Sequence, residues 1–258
     1  MEAFLIFLFA LLGVAVGSFL NVCIDRLPRN ESILNPPSHC ETCHHPLAAK
    51  DLIPVLSYLW LKGRCRYCHA SIPRRLFWAE LATGGLFAFL YGCYGFSSEL
   101  WVLVFYACLF IIIFVVDLER ELILNNVVYP GMAVALLIAG FVPQPWLMLW
   151  SLPAIAMAAI GGAIGFVIFL LIAIISRGGM GWGDVKLVAL IGLATGFPLI
   201  FIALVIGAIL GGLVAIALLV SKKRGRKEAI PFGPFLSVAA MITLIWGEEI
   251  LGCYLGLM

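Results

Sequence analysis

The segment Gly178-Gly179-Met180-Gly181-Trp182-Gly183-Asp184-Val185-Lys186 places one carboxylate between two long apolar runs. An ionised aspartate is costly beside such runs, so an acid inside or at the edge of a membrane is by default a candidate for function. Four of the six residues before Asp184 are glycines, which allow another backbone to approach closely. A second aspartate, Asp117, directly follows the apolar run from Leu100 to Val116. The two acids together suggest a carboxylate pair.

The composition predicts a membrane protein. The chain has 258 residues, of which 64% are hydrophobic and 12% charged, whereas soluble domains are about half apolar and about a quarter charged. The apolar runs have the length of spanning helices rather than of barrel strands. We therefore predict an all-α polytopic protein with about eight transmembrane helices. Their expected positions are 3–24, 76–95, 99–116, 126–142, 152–175, 185–197, 199–220 and 232–256.

The basic residues predict the orientation of these spans. Eight spans put both termini on one side, and 15 of the 16 lysines and arginines then fall in alternate connections, while Lys186 is the second residue of the span that follows one of them. Because such connections face the cytoplasm, we predict a multi-pass membrane protein with both termini outside. The N-terminus, Met1-Glu2-Ala3, lacks the basic region of a cleavable signal peptide, so the first span is expected to be retained.

One predicted span is too short for an ordinary crossing. Residues 185–197 would cover about 20 Å as a helix, against a hydrocarbon core of about 30 Å. Either the membrane is thinner there, or the segment around Asp184 enters the membrane before the helix begins.

Residues 25–75 form the only predicted soluble segment, and two Cys-x-x-Cys pairs lie in it. A segment of this size needs a staple to fold. Cys40, Cys43, Cys65 and Cys68 have the spacing of a four-thiolate Zn²⁺ site, and disulfides are rare in the cytoplasm. Loss of the metal, or redox chemistry, is the alternative. The neighbouring His44, His45 and His69 are expected to be solvated, although each could replace a cysteine ligand.

The other cysteines, Cys23, Cys93, Cys108 and Cys253, lie in or beside spans and are expected to be small packing residues. We therefore divide the chain into a first span at 1–24, a cytoplasmic zinc loop at 25–75 and a transmembrane core at 76–258.

The carboxylates have a bland and a chemical interpretation. Asp117 and Asp184 each stand at the cytoplasmic end of an apolar segment, where an acid can simply reach water. Two close carboxylates cannot both ionise easily, so one keeps a proton while the other acts as a base. Such a pair can activate a water molecule against a peptide carbonyl. A serine–histidine or cysteine–histidine alternative is not expected, because all four histidines lie in the cytoplasmic loop.

Several motifs resemble those of the bacterial type IV prepilin peptidases, over nearly the whole chain. The Gly-x-Gly-Asp element alone is shared with other intramembrane aspartyl proteases, whereas its combination with the cysteine loop and the first-span motif is highly specific. The matching segments are Gly17-Ser18-Phe19-Leu20-Asn21-Val22, Arg26-Leu27-Pro28, Glu31-Ser32-Ile33, Pro37-Ser38-His39-Cys40 with Cys43, Asp51-Leu52-Ile53-Pro54, Ser57-Tyr58, Gly63-Arg64-Cys65-Arg66-Tyr67-Cys68, Glu80-Leu81, Asp117-Leu118, Gly181-Trp182-Gly183-Asp184-Val185-Lys186-Leu187 and Pro231-Phe232-Gly233-Pro234-Phe235-Leu236.

The resemblance implies a bifunctional enzyme. It would cut the leader of prepilins or pseudopilins after a glycine on the cytoplasmic side, then methylate the new N-terminal amine with S-adenosylmethionine. Asp117 and Asp184 match the family's catalytic aspartates, and the four cysteines match its metal-binding loop. Two departures are visible: Ile123-Leu124-Asn125 lacks the proline usual after the first aspartate, and Leu76-Phe77 replaces tyrosine-proline.

The methyl donor has no clear binding motif in this sequence. No Gly-x-Gly-x-x-Gly follows a strand. Glu31, Asp51 and Glu80 are the candidate acids for the donor or the substrate amine, although the favoured interpretation of each is a salt-bridge partner of a nearby arginine. The basic run from Lys222 to Lys227 is expected to set topology and attract anionic lipid. We expect prepilin and lipid partners and no nucleic acid.

Two other functions remain open from the residues alone. Asp117 and Asp184 could form the proton relay of a transporter, a common role of acids inside membranes. Alternatively, the chain could be a non-catalytic, zinc-bearing scaffold of a membrane assembly.

Overall fold

The computed structural model describes residues 2–147, 152–176, 179–221 and 231–256. These residues form α-helices and short 3₁₀ turns, and within them β pairing is limited to the isolated bridges His39–Pro46 and Arg64–Ser71. The α-helices are α1 (Glu2–Arg26), α2 (Leu56–Trp60), α3 (Arg74–Tyr94), α4 (Ser98–Arg120), α5 (Asn125–Phe141), α6 (Ala154–Ile175), α7 (Trp182–Thr195), α8 (Leu199–Val220) and α9 (Gly233–Leu255).

The all-α prediction is confirmed, while the count of spans stays a prediction. Six helices are long and apolar enough to cross a membrane: α1, α3, α4, α6, α8 and α9. α5 has 17 residues and α7 has 14, so both are shorter than a usual span. Both nevertheless lie where the sequence predicts a span.

The helices extend past the apolar runs at the sites of interest. α4 continues to Arg120, so Asp117 lies inside the helix rather than after it. α7 begins at Trp182, three residues earlier than the predicted start at 185. Polar residues continue a helix where its end meets water, and an apolar pattern alone does not mark that end.

The chain divides into two compact units, residues 1–112 and 113–258, and α4 crosses the division. In the first unit α1 packs against α3. A Cβ added to Gly17 of α1 would lie 2.9 Å from the Cα of Glu80. Small residues at such contacts let membrane helices approach closely. Asn21 donates to the carbonyl of Leu76 at 3.0 Å and fixes the register of the pair.

An ion pair joins the last turn of α1 to the first turn of α3. Asp25 accepts from Arg75 at 2.6 Å. Of the four cysteines predicted to pack, Cys23 is buried and Cys108 half-buried. That prediction is wrong for Cys93 and Cys253, which are exposed, because they face outward from their helices.

In the second unit, α7 is the central helix. It packs against α5, α6, α8 and α9, and most of its side chains from Val185 to Thr195 are buried. The indole N–H of Trp146 donates to the carbonyl of Ala194 at 3.1 Å near the far end of α7. The burial of α7 among these helices explains why so short an apolar segment forms a stable helix. The predicted basic run 222–227 and Arg177 lie outside the described residues.

Candidate functional site

Asp117 lies in the last turn of α4 and is buried, with 5% of its surface exposed. α4 ends at Arg120 because Glu121 adopts a left-handed conformation, with φ of 53°, and donates its N–H to the carbonyl of Asp117 at 2.9 Å. Oδ2 of the Asp117 carboxylate accepts a 2.9 Å hydrogen bond from the backbone N–H of Gly233, the first residue of α9. The amino end of α9 therefore favours the negative charge of Asp117, whereas the carbonyl end of its own helix opposes that charge.

Asp184 lies in the first turn of α7 and is half-buried. Gly181 precedes the helix with an extended backbone, φ −72° and ψ 143°, and its carbonyl accepts the N–H of Asp184 at 3.2 Å. An acid in the first turn faces the unpaired N–H groups of the helix and is stabilised there. The predicted start of this span at residue 185 is therefore three residues late, and Asp184 lies inside the helix.

The structure brings Asp117 and Asp184 to the same end of the second unit. The charge of Asp117 acts on the carboxylate of Asp184. The chain beyond Asp117 also packs on the residue before Asp184: a Cβ added to Gly183 would lie 2.9 Å from the Cβ of Ile123. Glycine at 183 permits this contact, so the segment that lacks the expected proline still packs closely. The catalytic role of the two acids stays a prediction.

Lys186 adds a second link beside the aspartates. Its ammonium donates to Oδ1 of Asn125 at 3.0 Å and lies 5.3 Å from the ring centre of Tyr129. Both partners belong to the first turns of α5. The start of α7 is therefore tied to the start of α5 through a cation.

The four cysteines form one cluster in the first unit. All four Sγ atoms lie within 4.8 Å of one another, and those of Cys40 and Cys68 are 3.7 Å apart. Tetrahedral Zn²⁺ with Zn–S bonds of about 2.3 Å separates its sulfurs by about 3.8 Å. The sulfur positions therefore fit a zinc ion held by four thiolates.

The two Cys-x-x-Cys turns repeat one local structure. His44 donates its N–H to the carbonyl of Cys40 at 2.8 Å, and His69 donates to Cys65 at 3.0 Å. The two histidines have φ of 56° and 58°. Each therefore closes a knuckle through its backbone.

The candidate metal group found in the described residues consists of cysteines alone. The His45 ring instead stacks on Tyr67 with centroids 3.7 Å apart. The backbone N–H groups of Cys43 and Thr42 lower the pKa of Cys40 to about 6, which favours the thiolate that a metal requires.

Asp51 links the second knuckle to the chain around Ala48. Its Oδ1 accepts from Nε of Arg66 at 2.6 Å, and Oδ2 accepts from Tyr67 and from the N–H of Ala48, each at 3.4 Å. Burial opposes the charge, but the Arg66 guanidinium outweighs it and lowers the pKa of Asp51. Asp51 therefore forms a salt bridge with a nearby arginine, as the second interpretation of this residue predicts.

Glu80 connects the loop to the helices. Its Oε2 accepts the N–H of Val55 at 2.7 Å, and the hydroxyl of Ser18 bonds to the same carboxylate. Glu80 is buried, whereas Glu31 is exposed near the start of the loop. Glu80 thus has loop and helix partners rather than the arginine that the salt-bridge alternative requires.

Sequence reasoning missed two features of the site. Gly233 acts through its main-chain N–H, and nothing in a glycine's identity announces a hydrogen bond to an acid 116 residues away. Lys186 is a basic residue that the sequence counts toward topology, although the structure gives it specific partners in α5. The two segments that contain Gly233 and Lys186 match family motifs, but the match assigns no role to either residue.

Two family models match the chain. The Bacterial Peptidase A24 N-terminal domain matches residues 11–94, which include the cysteine cluster. The Type IV leader peptidase family matches residues 103–216, which include Asp117 and Asp184. No solved structure matches the chain significantly.

Curated relatives match over almost their full length. A protein of Bacillus subtilis (strain 168) is 32% identical over 246 residues, covering 94% of this chain and 95% of the relative. Proteins of Aeromonas salmonicida (strain A449) and Pseudomonas putida are 32% and 31% identical and cover 97% and 96% of this chain, with 93% of each relative covered. All three are named prepilin leader peptidase/N-methyltransferase.

Proposed function

The chain belongs to the type IV leader peptidase family, and from that membership we propose that it removes the leader of type IV prepilins or pseudopilins and methylates the new N-terminus. The cut follows a glycine on the cytoplasmic side of the inner membrane. The observation that supports the peptidase activity is that Asp117 and Asp184 lie at the same end of the second unit, close enough for the charge of one to act on the other.

The two aspartates act as one acid–base pair. Their mutual repulsion leaves one carboxylate ionised and the other protonated. The ionised member removes a proton from water, and the resulting hydroxide attacks the carbonyl carbon of the scissile peptide. The protonated member hydrogen-bonds to the oxyanion and then transfers its proton to the leaving nitrogen as the C–N bond breaks. The products are a leader with a free carboxylate and a pilin with a free amine.

The position of the pair suits a substrate that is itself a membrane helix. Asp117 ends a helix that is long enough to span, and Asp184 begins a buried helix of the same unit. A prepilin segment lying in the membrane would present its scissile peptide bond, at its cytoplasmic end, at the depth of Asp117 and Asp184. Fifteen of the 16 lysines and arginines fall in the predicted connections that we place in the cytoplasm, and Lys186 lies at the start of the span that follows one of them, which supports this orientation.

The zinc ion in this proposal has a structural role. Four thiolates complete a tetrahedral site and leave no open position for substrate. Cys40, Cys43, Cys65 and Cys68 would hold the metal, and the loop would fold around it. The loop then supports the methylation step rather than the hydrolysis.

S-adenosylmethionine would be the methyl donor and would supply an electrophilic methyl group to the free amine of the cut pilin, which would lose a proton. Asp51 and Glu80 already accept hydrogen bonds within the loop and its anchor, so neither carboxylate is assigned to the donor.

The site favours hydrolysis over proton transport. A relay across a membrane needs acids at successive depths, whereas Asp117 and Asp184 lie within range of each other's charge. A zinc-bearing scaffold would need no such pair at all.

The test mixes the purified protein, in detergent, with a prepilin that carries its leader. Mass spectrometry should show the leader removed after its glycine, and the new N-terminus should gain a methyl group only when S-adenosylmethionine is present. A prepilin whose glycine is replaced by a large residue is the control and should stay uncut. An intact prepilin after long incubation with stoichiometric enzyme would contradict the proposal.

A further inference from the structure

The segment Phe232-Gly233-Pro234 joins α9 to the carboxylate of Asp117. Gly233 donates its N–H to Oδ2 of Asp117 at 2.9 Å, and Gly233 and Asp117 are both buried. The first N–H groups of a helix have no acceptor within it. A hydrogen bond to a charged group is stronger than one between neutral groups. Asp117 therefore satisfies a donor that α9 leaves unpaired.

Only glycine allows this approach. A Cβ added at position 233 would lie 2.6 Å from Oδ2 of Asp117, 3.0 Å from its Cγ and 3.3 Å from its Cβ. Real Cβ atoms do not approach so closely, so an alanine would force the carboxylate or the helix to move.

Phe232 fixes the start of α9 from the opposite side. A Cβ added to Gly211 of α8 would lie 2.8 Å from Cε2 of Phe232, so the ring rests directly on that glycine. The same ring stacks with Phe169 of α6, with centroids 6.3 Å apart and planes at 22°. Phe169 of α6 and Gly211 of α8 thus hold Phe232, the residue before Gly233.

Pro234 completes the arrangement. It stands in the first turn of α9, where a proline costs no helical hydrogen bond and its fixed φ suits the helix. The direction of the Gly233 N–H is therefore set before substrate binds.

We infer that Gly233 is a positioning residue for the proposed peptidase reaction: its N–H holds Oδ2 of Asp117, and Phe232 and Pro234 hold the N–H. Since Oδ2 is occupied, proton exchange with water and Asp184 falls to Oδ1 of Asp117. The inference rests on the proposed function, and it concerns the hydrolysis step only.

The first test compares alanine at three glycines of the second unit. Gly233→Ala should lower kcat for prepilin cleavage by about 100-fold or more, the contribution of a well-placed acid–base group, with KM within about twofold. Gly211→Ala should lower kcat less, by about tenfold, because it displaces Phe232 and acts on Gly233 only indirectly. Gly212→Ala is the matched control, because a Cβ there meets nothing within 4 Å; its kcat should match the unmodified protein.

A second variant removes the hydrogen bond without the steric clash that an added Cβ would cause. Replacing Gly233 by glycolic acid during cell-free synthesis converts its amide to an ester, which removes the N–H and adds no atom near Asp117. Loss of one hydrogen bond to a charged group should lower kcat by about tenfold or more, with KM unchanged and the protein still folded at the assay temperature. This variant decides the question if Gly233→Ala melts at a lower temperature than the unmodified protein.

The outcomes are distinct. Cleavage within about threefold of normal by the ester variant overturns the inference, while the proposed function stands if the unmodified protein cuts prepilin and Asp117→Asn does not. An equal loss in Gly212→Ala also overturns it, because the effect would then not depend on Asp117. Failure of the unmodified protein to cut prepilin overturns the proposed function and this inference with it.

Discussion

At the scale of single residues, the two aspartates differ from the other acids in what surrounds them. Asp25 and Asp51 each pair with an arginine at 2.6 Å. Asp117 is instead held by a main-chain N–H, and Asp184 faces the start of its own helix. A guanidinium would keep a carboxylate ionised in both steps of the reaction, whereas these surroundings leave the pair able to exchange a proton.

Lys186 offers a prediction at this scale. The hydrogen bond from Lys186 to Asn125 should give a coupling free energy between α7 and α5 of about 0.5–1 kcal/mol, as for an exposed hydrogen bond with one charged partner. A double-mutant cycle with Lys186→Met and Asn125→Leu, read from unfolding in detergent, measures that coupling. Lys62→Met, at a loop lysine outside the second unit, is the control and should show no coupling with Asn125→Leu. Additive effects of the Lys186 pair would contradict the prediction.

Which of these residues can be predicted follows from physical signals in the sequence. Asp184 stands out because an acid between apolar runs is costly, and Asp117 because it ends such a run. Gly233 cannot be predicted in the same way, since its contribution is a backbone N–H and every residue but proline has one. The sequence also does not predict that Glu80 accepts a hydrogen bond from the backbone N–H of Val55 rather than from an arginine.

At the scale of elements, the zinc loop is held by two devices, the cysteine cluster and the Glu80 anchor. The spacing of the cysteines predicts the first, and the sulfur distances fit it. The second depends on Val55, a β-branched residue with a φ of 60°. Such a conformation is unfavourable and needs support from its surroundings, which the 2.7 Å bond to Glu80 supplies.

Removing a thiolate should affect the metal before the peptidase. Cys40→Ser should lower bound zinc, measured by atomic emission, and should reduce methylation of a pre-cleaved pilin more than cleavage of a prepilin. The reason is that the cluster lies in the first unit and the aspartates in the second. Cys93→Ser, an exposed cysteine outside the cluster, is the control and should keep its zinc. One equivalent of zinc after replacement of several cluster cysteines would show that the four-thiolate site is wrong.

The Glu80 anchor can be tested by comparing two substitutions. Glu80→Gln keeps a carbonyl acceptor for the Val55 N–H, whereas Glu80→Leu leaves that donor without its partner at a cost of about 1–3 kcal/mol. Limited proteolysis should therefore cut residues 25–75 faster in Glu80→Leu than in Glu80→Gln, and methylation should fall in the same order. Equal cutting of the two variants would rule out the anchor.

The elements also show where periodicity and hydropathy mislead. A 14-residue α7 is too short to be recognised by length, and its burial among α5, α6, α8 and α9 is a tertiary property. Its start at Trp182 depends on the extended backbone of Gly181. Hydropathy therefore places the segment correctly and misplaces its first turn, which is the turn that contains Asp184.

At the scale of the molecule, the charge distribution predicts one orientation. The lysines and arginines fall in the predicted connections assigned to the cytoplasm or, for Lys186, at the start of the span that follows, and none falls around Gly95-Phe96-Ser97. The helices flanking this turn, α3 and α4, are both long and apolar enough to span. The turn should therefore lie outside the cytoplasm and the zinc loop inside.

Reporter fusions test this orientation. Alkaline phosphatase, which folds only outside the cytoplasm, should be active when joined after Phe96 and inactive when joined after Lys50. A fluorescent protein that folds only in the cytoplasm should give the reverse pattern and is the matched control. Activity of the phosphatase at both sites, or only after Lys50, would contradict the orientation.

The account depends most on Asp117 and Asp184 working as a unit, and a double-mutant cycle on kcat for prepilin cleavage tests that most directly. Residues that act together lose their contribution once either is removed, so the losses are not additive. We predict that Asp117→Asn, Asp184→Asn and the double variant each lower kcat by the same factor, about 100-fold or more, while Asp25→Asn, an interfacial control, stays near normal. Substantial cleavage by either single variant, or a double variant whose loss is the product of two smaller ones, would contradict the shared-proton mechanism.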